Sequence, residues 1–266
     1  MPSDLRGKVA IVTGGAGGIG RGIALRLAER GASIVVNGRS AERAAPLLER
    51  LGSLGVDATF IAGDVGSLDD MRALAADAVA RFGRIDIVVA NAGGNDDEAR
   101  DPQVRGPFGD IDLSRVTAFI GSAVAAKLNI VQAALPHLRS AGGSVVFVTS
   151  EGGRVPTPGQ TAIATFSAGL IQASKLLSKE LAPDRIRVNC VCVTVVADTP
   201  SWQAAFEKTD AVSDAHRRQY EKIVARAPLG VAGAEDIGAV VAFLASEDAA
   251  YLTGAVLSPT GGLTLH

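Results

Sequence analysis

The chain is predicted to fold as one doubly wound α/β domain, a parallel sheet covered by helices on both faces. Three observations predict it. Short apolar bursts alternate with helix-period stretches; the bursts are nearly continuous in β-branched residues; and no linker, repeat or low-complexity tract divides the 266 residues. A parallel crossover must return across a sheet face, so strand–helix alternation points to a parallel sheet. Strands covered on both sides have no polar face, which explains why their apolar runs do not alternate.

The predicted strands are VAIVT (9–13), SIVVN (33–37), TFIAGD (59–64), IDIVVAN (85–91), SVVFVTS (144–150) and IRVNCVCV (186–193), with a short last strand at 255–258. Amphipathic segments at 18–30, 40–53, 67–82, 114–140, 160–182 and 234–246 are predicted as helices. Residues 94–113 are polar and broken by Pro and Gly, and are predicted as a surface loop. Residues 197–228 follow the sixth strand and hold the single Trp. Ligands of open α/β sheets sit beyond the carboxyl ends of the strands, so this insert is a candidate substrate lid, with a solvent-facing helical insert as the alternative. Residues 1–266 are read as a single domain.

Bulk composition narrows the function classes. A 47% hydrophobic content with only 4% aromatic residues means that aliphatic side chains fill the core. The formal net charge of −2 provides no electrostatic case for nucleic acid or acidic membranes. Cys190 and Cys192 lie at i, i+2 on one predicted strand and point the same way, as two buried thiols would. The amino terminus lacks an apolar signal core, and no uninterrupted apolar run approaches a membrane span, so a cytoplasmic protein is expected. No metal site is expected.

The first βα turn reads Thr13-Gly14-Gly15-Ala16-Gly17-Gly18-Ile19-Gly20. Glycines allow a tight turn and close backbone approach to a pyrophosphate, whose charge then meets the helix amino terminus. The second strand ends Val36-Asn37-Gly38-Arg39. An NAD site would place Asp or Glu there for the ribose hydroxyls; Gly38 leaves room, and Arg39 offers a guanidinium to a 2′-phosphate. NADP is therefore the preferred cofactor and NAD the alternative. Gly63, Asp64 and Val65 close the third strand, where a carboxylate can accept from the adenine amino group. Asn91, Ala92 and Gly93 close the fourth.

Together, TGGAGGIG, GDV, NAG, SVVFVTS and ELAPDRIRVNCV resemble the short-chain dehydrogenase/reductase family over nearly the whole chain. The resemblance implies a Rossmann domain, usually a homotetramer built through the helices at 114–140 and 160–182, and hydride transfer between a nicotinamide and an alcohol or carbonyl. It implies catalysis by Asn, Ser, Tyr and Lys, with the Lys binding ribose hydroxyls and lowering the Tyr pKa. Ser150 matches the Ser. Thirteen residues on, the Tyr position holds Ile163; the Lys position holds Ser167, which precedes Asn189 by the family's 22 residues; the Asn position falls on Ala123. Ala173-Ser174-Lys175 mimics the family's ending but stands eight residues too late, about 12 Å along a helix. After the sixth strand Val193-Thr194 replace the family's Pro-Gly, and SPTGG (258–262) replaces its Asp-Gly-Gly pattern. Thr194 is retained as a cofactor candidate.

Two functional readings follow. One is an atypical or very weak oxidoreductase using Ser150 with Glu151 as the nearest alternative proton carrier; Cys192, Thr194, Asp198, His216 and Tyr220 are weaker candidates. The other is a noncatalytic companion that pairs with an active homologue, or a ligand-binding regulator. Both admit a homo-oligomer or hetero-oligomer, a small apolar or acyl substrate, and loosely held cofactor, since Ser167 carries no charge.

Overall fold

The computed structural model describes residues 4–93, 98–207, 212 and 214–265. Parts of the predicted loop and lid (94–97, 208–211 and 213) lie outside the described residues. Seven strands, β1 (Val9–Thr13), β2 (Ser33–Gly38), β3 (Ala58–Ala62), β4 (Ile87–Ala90), β5 (Gly143–Ser150), β6 (Ile186–Val193) and β7 (Val256–Leu257), form one parallel sheet in the order β3-β2-β1-β4-β5-β6-β7. Strand order reverses between β1 and β4, which opens a crevice at their carboxyl ends.

Helices α1 (Gly18–Glu29), α2 (Ala41–Ser53) and α8 (Ala234–Ala245) belong to one face; α3 (Leu68–Phe82), α4 (Leu113–Leu138) and α5 (Thr161–Glu180) belong to the other. Alternation along the strands divides the core accordingly. Ile11, Val88, Val145 and Phe147 face α3–α5, and Val12, Val89, Val146 and Val148 face the opposite layer. Helix starts follow side-chain chemistry. Ser40 accepts from the Arg43 amide, Ser67 from that of Asp70, and Asp112 from those of Ser114 and Arg115. Gly83 ends α3 in the left-handed conformation that glycine tolerates best.

One reading needs correction. The 98–112 segment is not wholly superficial: Val104 is buried in the core beside α4, because the chain must dip inward to reach the Asp112 cap. Helix α4 has 26 residues and, among the described residues, is the one helix long and apolar enough to cross a membrane. Its apolar stripe packs against the sheet, α3 and α5, which accounts for that composition without a bilayer.

Between β6 and α8 stand α6 (Pro200–Phe206) and α7 (Asp214–Arg226). They share a small apolar cluster of Ala204, Ala205, Val212, Phe206 and Tyr220, so the insert has a core of its own.

Candidate functional site

At the crevice, the glycines of the β1–α1 turn are dictated by geometry. Gly14 and Gly18 have φ of +63° and +50°, where a side chain is strained. A Cβ on Gly20 would lie 2.2 Å from the Gly14 carbonyl oxygen, so α1 can start this close to the turn only with glycine there. Gly17, the N-cap of α1, supplies no side-chain cap, so the first amides of the helix are left for another acceptor. The place of a Gly17 Cβ is open except for the Arg43 Nη2, 3.8 Å away. Ile19 is half-buried against the core. Backbone amides, an open cradle and a nearby cation fit a pyrophosphate.

Polar side chains hold this turn in place. The Thr13 hydroxyl donates to Val89 O and accepts from the amides of Asn91 and Ala92 at 3.1 Å each, and Asn91 Nδ2 donates to Thr13 O at 3.0 Å. Ala92 and Gly93 line the same edge, with Gly93 exposed. Arg39 is exposed just past β2. Arg43, which sequence reading missed, stands in the first turn of α2, where its amide donates to the Ser40 cap. Asp64 is exposed beyond β3, with Oδ1 accepting from the Gly66 amide at 2.8 Å; Val65 is half-buried. Thr199 and Pro200 come over the turn, with Pro200 Cδ 3.2 Å from the place of a Gly18 Cβ. The base of the insert thus lies directly against the glycine turn.

At the other end of the crevice, Ser150 closes β5 opposite Val193 and accepts from the Gly152 amide at 3.1 Å. Three side-chain atoms surround the place of a Gly152 Cβ: Gln160 Oε1 at 3.2 Å, Ser150 Oγ at 3.3 Å and Ile163 Cγ2 at 3.7 Å. Ser150 is therefore flanked by a neutral amide and an aliphatic group. Ser167 is fully buried and accepts from the Thr149 hydroxyl at 3.0 Å, and Ala123 is buried in the core. Gly153 allows this docking, since a Cβ there would lie 2.7 Å from the backbone at Ser167–Ala168. Sequence reading missed both Gln160 and Gly153, because their roles depend on how α5 meets the β5 turn.

Glu151, the alternative proton carrier, is engaged in structural bonds. It is 3% exposed, and its carboxylate accepts from Ser258 Oγ at 2.6 Å and Thr264 Oγ1 at 3.0 Å. Arg154 Nη1 donates to the same Ser258 hydroxyl at 2.9 Å. The SPTGG departure therefore has a structural account: Ser258 and Thr264 tie the carboxyl-terminal segment to the turn after Ser150. Glu151→Ala is expected to lower stability by about 2 kcal/mol, from two half-buried hydroxyls losing their acceptor and from the space left by a buried side chain. Thermal melting checks this, and an unchanged melt contradicts the anchoring role.

The weaker candidates fare as follows. Contact with Cys190 Sγ at 4.0 Å, followed by burial, pushes the Cys192 thiol far above its ordinary range, so it is no nucleophile. Thr194 lines a shallow recess with Val195, Ile223 and Pro259. Asp198 is exposed, with a left-handed φ of +59° that turns the chain into the Thr199 cap. His216 is buried edge-on to Tyr220 and lowered to about 3 by burial, then by Arg105 and Arg100. It is neutral at pH 7 and offers no acid. Arg105 lies over the Tyr220 ring and donates to Gln219 Oε1, which also accepts from Gln160 Nε2 at 3.2 Å. Through these bonds α7 reaches the neighbour of Ser150.

One charged group was overlooked. Lys127 stands on the apolar stripe of α4 with Ala123, Ile130, Val131 and Ala134, yet it is only 2% exposed. Its Nζ donates to Asn91 O at 2.6 Å. A lone Lys at i, i+3, i+4 spacing within buried positions was the legible signal.

A parallel sheet with a reversal of strand order, a glycine cradle at an uncapped helix and a clamped strand end define a dinucleotide-binding α/β protein of the oxidoreductase type. The family model described as enoyl-(acyl carrier protein) reductase matches residues 14–264. A 3-oxoacyl-(acyl-carrier-protein) reductase of Staphylococcus aureus is 34% identical over 259 residues, covering 96% of this chain and 98% of that protein. A short-chain dehydrogenase/reductase of Arabidopsis thaliana is 35% identical over 267 residues, covering 99% and 97%. Among solved structures, a putative short-chain alcohol dehydrogenase of Sinorhizobium meliloti aligns with TM-score 0.84 at 28% identity, covering 98% and 97%. A 7α-hydroxysteroid dehydrogenase complexed with NADH and 7-oxo glycochenodeoxycholic acid aligns with TM-score 0.85 at 26% identity, covering 97% and 95%. The chain belongs to the short-chain dehydrogenase/reductase family.

Proposed function

We propose that this protein binds NADP(H), or NAD(H) less tightly, and performs at most slow, atypical hydride transfer on a carbonyl or alcohol. The observation that carries this reading is the setting of Ser150: its hydroxyl is present at the end of β5, but its neighbours at the turn are Gln160 and Ile163. When bound, the nicotinamide supplies the hydride. Ser150 can hydrogen-bond a substrate oxygen, and the Gln160 amide lies close enough to help orient it. Ile163 cannot deliver a proton, and Ser167 carries no charge to assist one. Loss of a positioned general acid costs about 10²–10⁴ in rate.

An acyl thioester bearing a 3-oxo group is the substrate class to try first, because relatives over nearly the full length are 3-oxoacyl reductases. The experiment is NADPH oxidation with a series of 3-oxoacyl thioesters, alongside calorimetric titration of NADPH, NADH and their oxidised forms. Micromolar binding with slow turnover is expected; a rate in the hundreds per second would defeat the reading. The NADP preference rests on Arg39, the exposed guanidinium that follows Gly38 at the end of β2. Arg39→Ala is expected to weaken NADPH binding roughly tenfold or more, with little effect on NADH. Equal weakening of both defeats the 2′-phosphate assignment.

The lack of an ionisable side chain at Ile163 and Ser167 also favours a second reading, a noncatalytic companion of an active homologue. Exposed Leu113 on α4 and Leu176 on α5 are consistent with assembly through these helices, as a homotetramer or a mixed oligomer. Co-purification from the native host separates the two: recovery of this chain alone, with turnover, excludes the companion role.

A further inference from the structure

Position 127 is a costly place for a lysine. Its neighbours on the stripe of α4 are Ala and aliphatic residues, and the helix would pack there without an amine. Bringing an ammonium into such a setting costs several kcal/mol unless it is well paired. Among the described residues, Lys127 makes one hydrogen bond, to the Asn91 carbonyl. A purely structural role is poorly served by this choice, since one carbonyl compensates little of the loss of water.

The carbonyl it chooses is informative. Asn91 is the residue whose amide group and side chain hold Thr13 at the start of the glycine turn. Lys127 therefore meets, from below, the strand end that borders the dinucleotide crevice. On α5, the position from which the family resemblance implies a ribose-binding cation holds Ser167, buried and occupied with Thr149. The protein thus lacks a cation on one helix and carries a buried one on the neighbouring helix, under the ends of the same strands.

We propose that Lys127 is a positioning residue for the dinucleotide, supplying from α4 the positive charge that residue 167 on α5 does not carry and fixing the Asn91 carbonyl at the rim of the crevice. This rests on the reading that the chain binds a dinucleotide. Burial lowers the Lys127 amine to about 7, against a smaller opposing effect of the Cys190 thiol. Around it, β6 contributes Cys190 and beyond it Cys192; past the end of β5 stand Glu151 and Arg154. The buried positions of α3 and α5, the helices packed against α4, include Met71, Leu74, Phe166, Ser167 and Leu170, and none of these is an acid or a base. An anionic ligand stabilises the protonated amine. Binding near pH 7 then takes up part of a proton, and affinity falls as pH rises through the amine's range.

The test is calorimetric titration of NADPH and NADH in two buffers of different ionisation enthalpy, at several pH values, for the wild type, Lys127→Met and Lys127→Gln. The wild type is expected to take up a fraction of a proton at pH 7. Lys127→Met is expected to lose that uptake, to weaken binding about tenfold or more, and to melt no lower than the wild type. Lys127→Gln, which keeps a donor for Asn91 without the charge, should bind as weakly as the Met variant. Unchanged affinity and proton uptake in both variants overturn the proposal while leaving dinucleotide binding intact. A wild type that binds neither dinucleotide overturns the binding reading, and the role of Lys127 with it.

Discussion

Ile163→Tyr combined with Ser167→Lys is expected to raise kcat/KM on a reducible 3-oxoacyl thioester by about 10² or more, the contribution of a positioned general acid. Residue 163 lies beside the Ser150 hydroxyl, with Gly152 between them leaving space. A phenol at that position stands where it can share a substrate oxygen with Ser150. At 167, the side chain is fully buried beside Thr149, so a Lys there must compete for room with the sheet. The single Ile163→Tyr variant therefore belongs in the same experiment. Steady-state rates together with dinucleotide affinity provide the check. A variant that melts normally and binds NADPH, yet gains no rate, would show that more than two groups separate this site from efficient catalysis.

Gly22→Val is expected to destabilise the domain by at least about 3 kcal/mol, equivalent to a melting temperature lower by roughly 6–12 °C. Helices α1 and α8 meet backbone to backbone. A Cβ on Gly22 would lie 2.3 Å from the carbonyl of Ala234, and one on Gly238 would lie 2.4 Å from the carbonyl oxygen of Gly22. Neither obstacle is a side chain that can rotate away, so the helices must separate. Ile23, Leu27, Ile237 and Val241 are fully buried in the same layer and lose packing as they do. Gly52, whose Cβ would meet nothing within 4 Å, is the control: Gly52→Ala should melt at or slightly above the wild type. A normal melt for Gly22→Val would refute the close crossing.

Much of the fold was readable because its signals are local. The six long strands announce themselves as apolar runs, and Ser40, Ser67 and Asp112 mark helix starts through bonds made within three residues. The glycine turn was readable for the same reason, since a left-handed φ at Gly14 and Gly18 requires no distant partner. Partners brought from afar were not readable. The charge of Glu151 was visible, but not that Ser258 and Thr264, more than a hundred residues later, would enclose it. Nor could spacing show that Gln160 would be placed beside Ser150, or that α7 would reach it through Gln219.

The sequence by itself determined a parallel α/β domain with a dinucleotide turn, an aliphatic Ile163 and an uncharged Ser167, because residue identity and short-range periodicity specify these directly. Only the tertiary structure decided that Gly22 and Gly238 touch across two helices, that Glu151 is an anchor for the carboxyl-terminal segment, and that Lys127 reaches the Asn91 carbonyl. Each of those depends on which surfaces the folded sheet brings within a few ångströms, and burial then sets the worth of a charge or the cost of a methyl group.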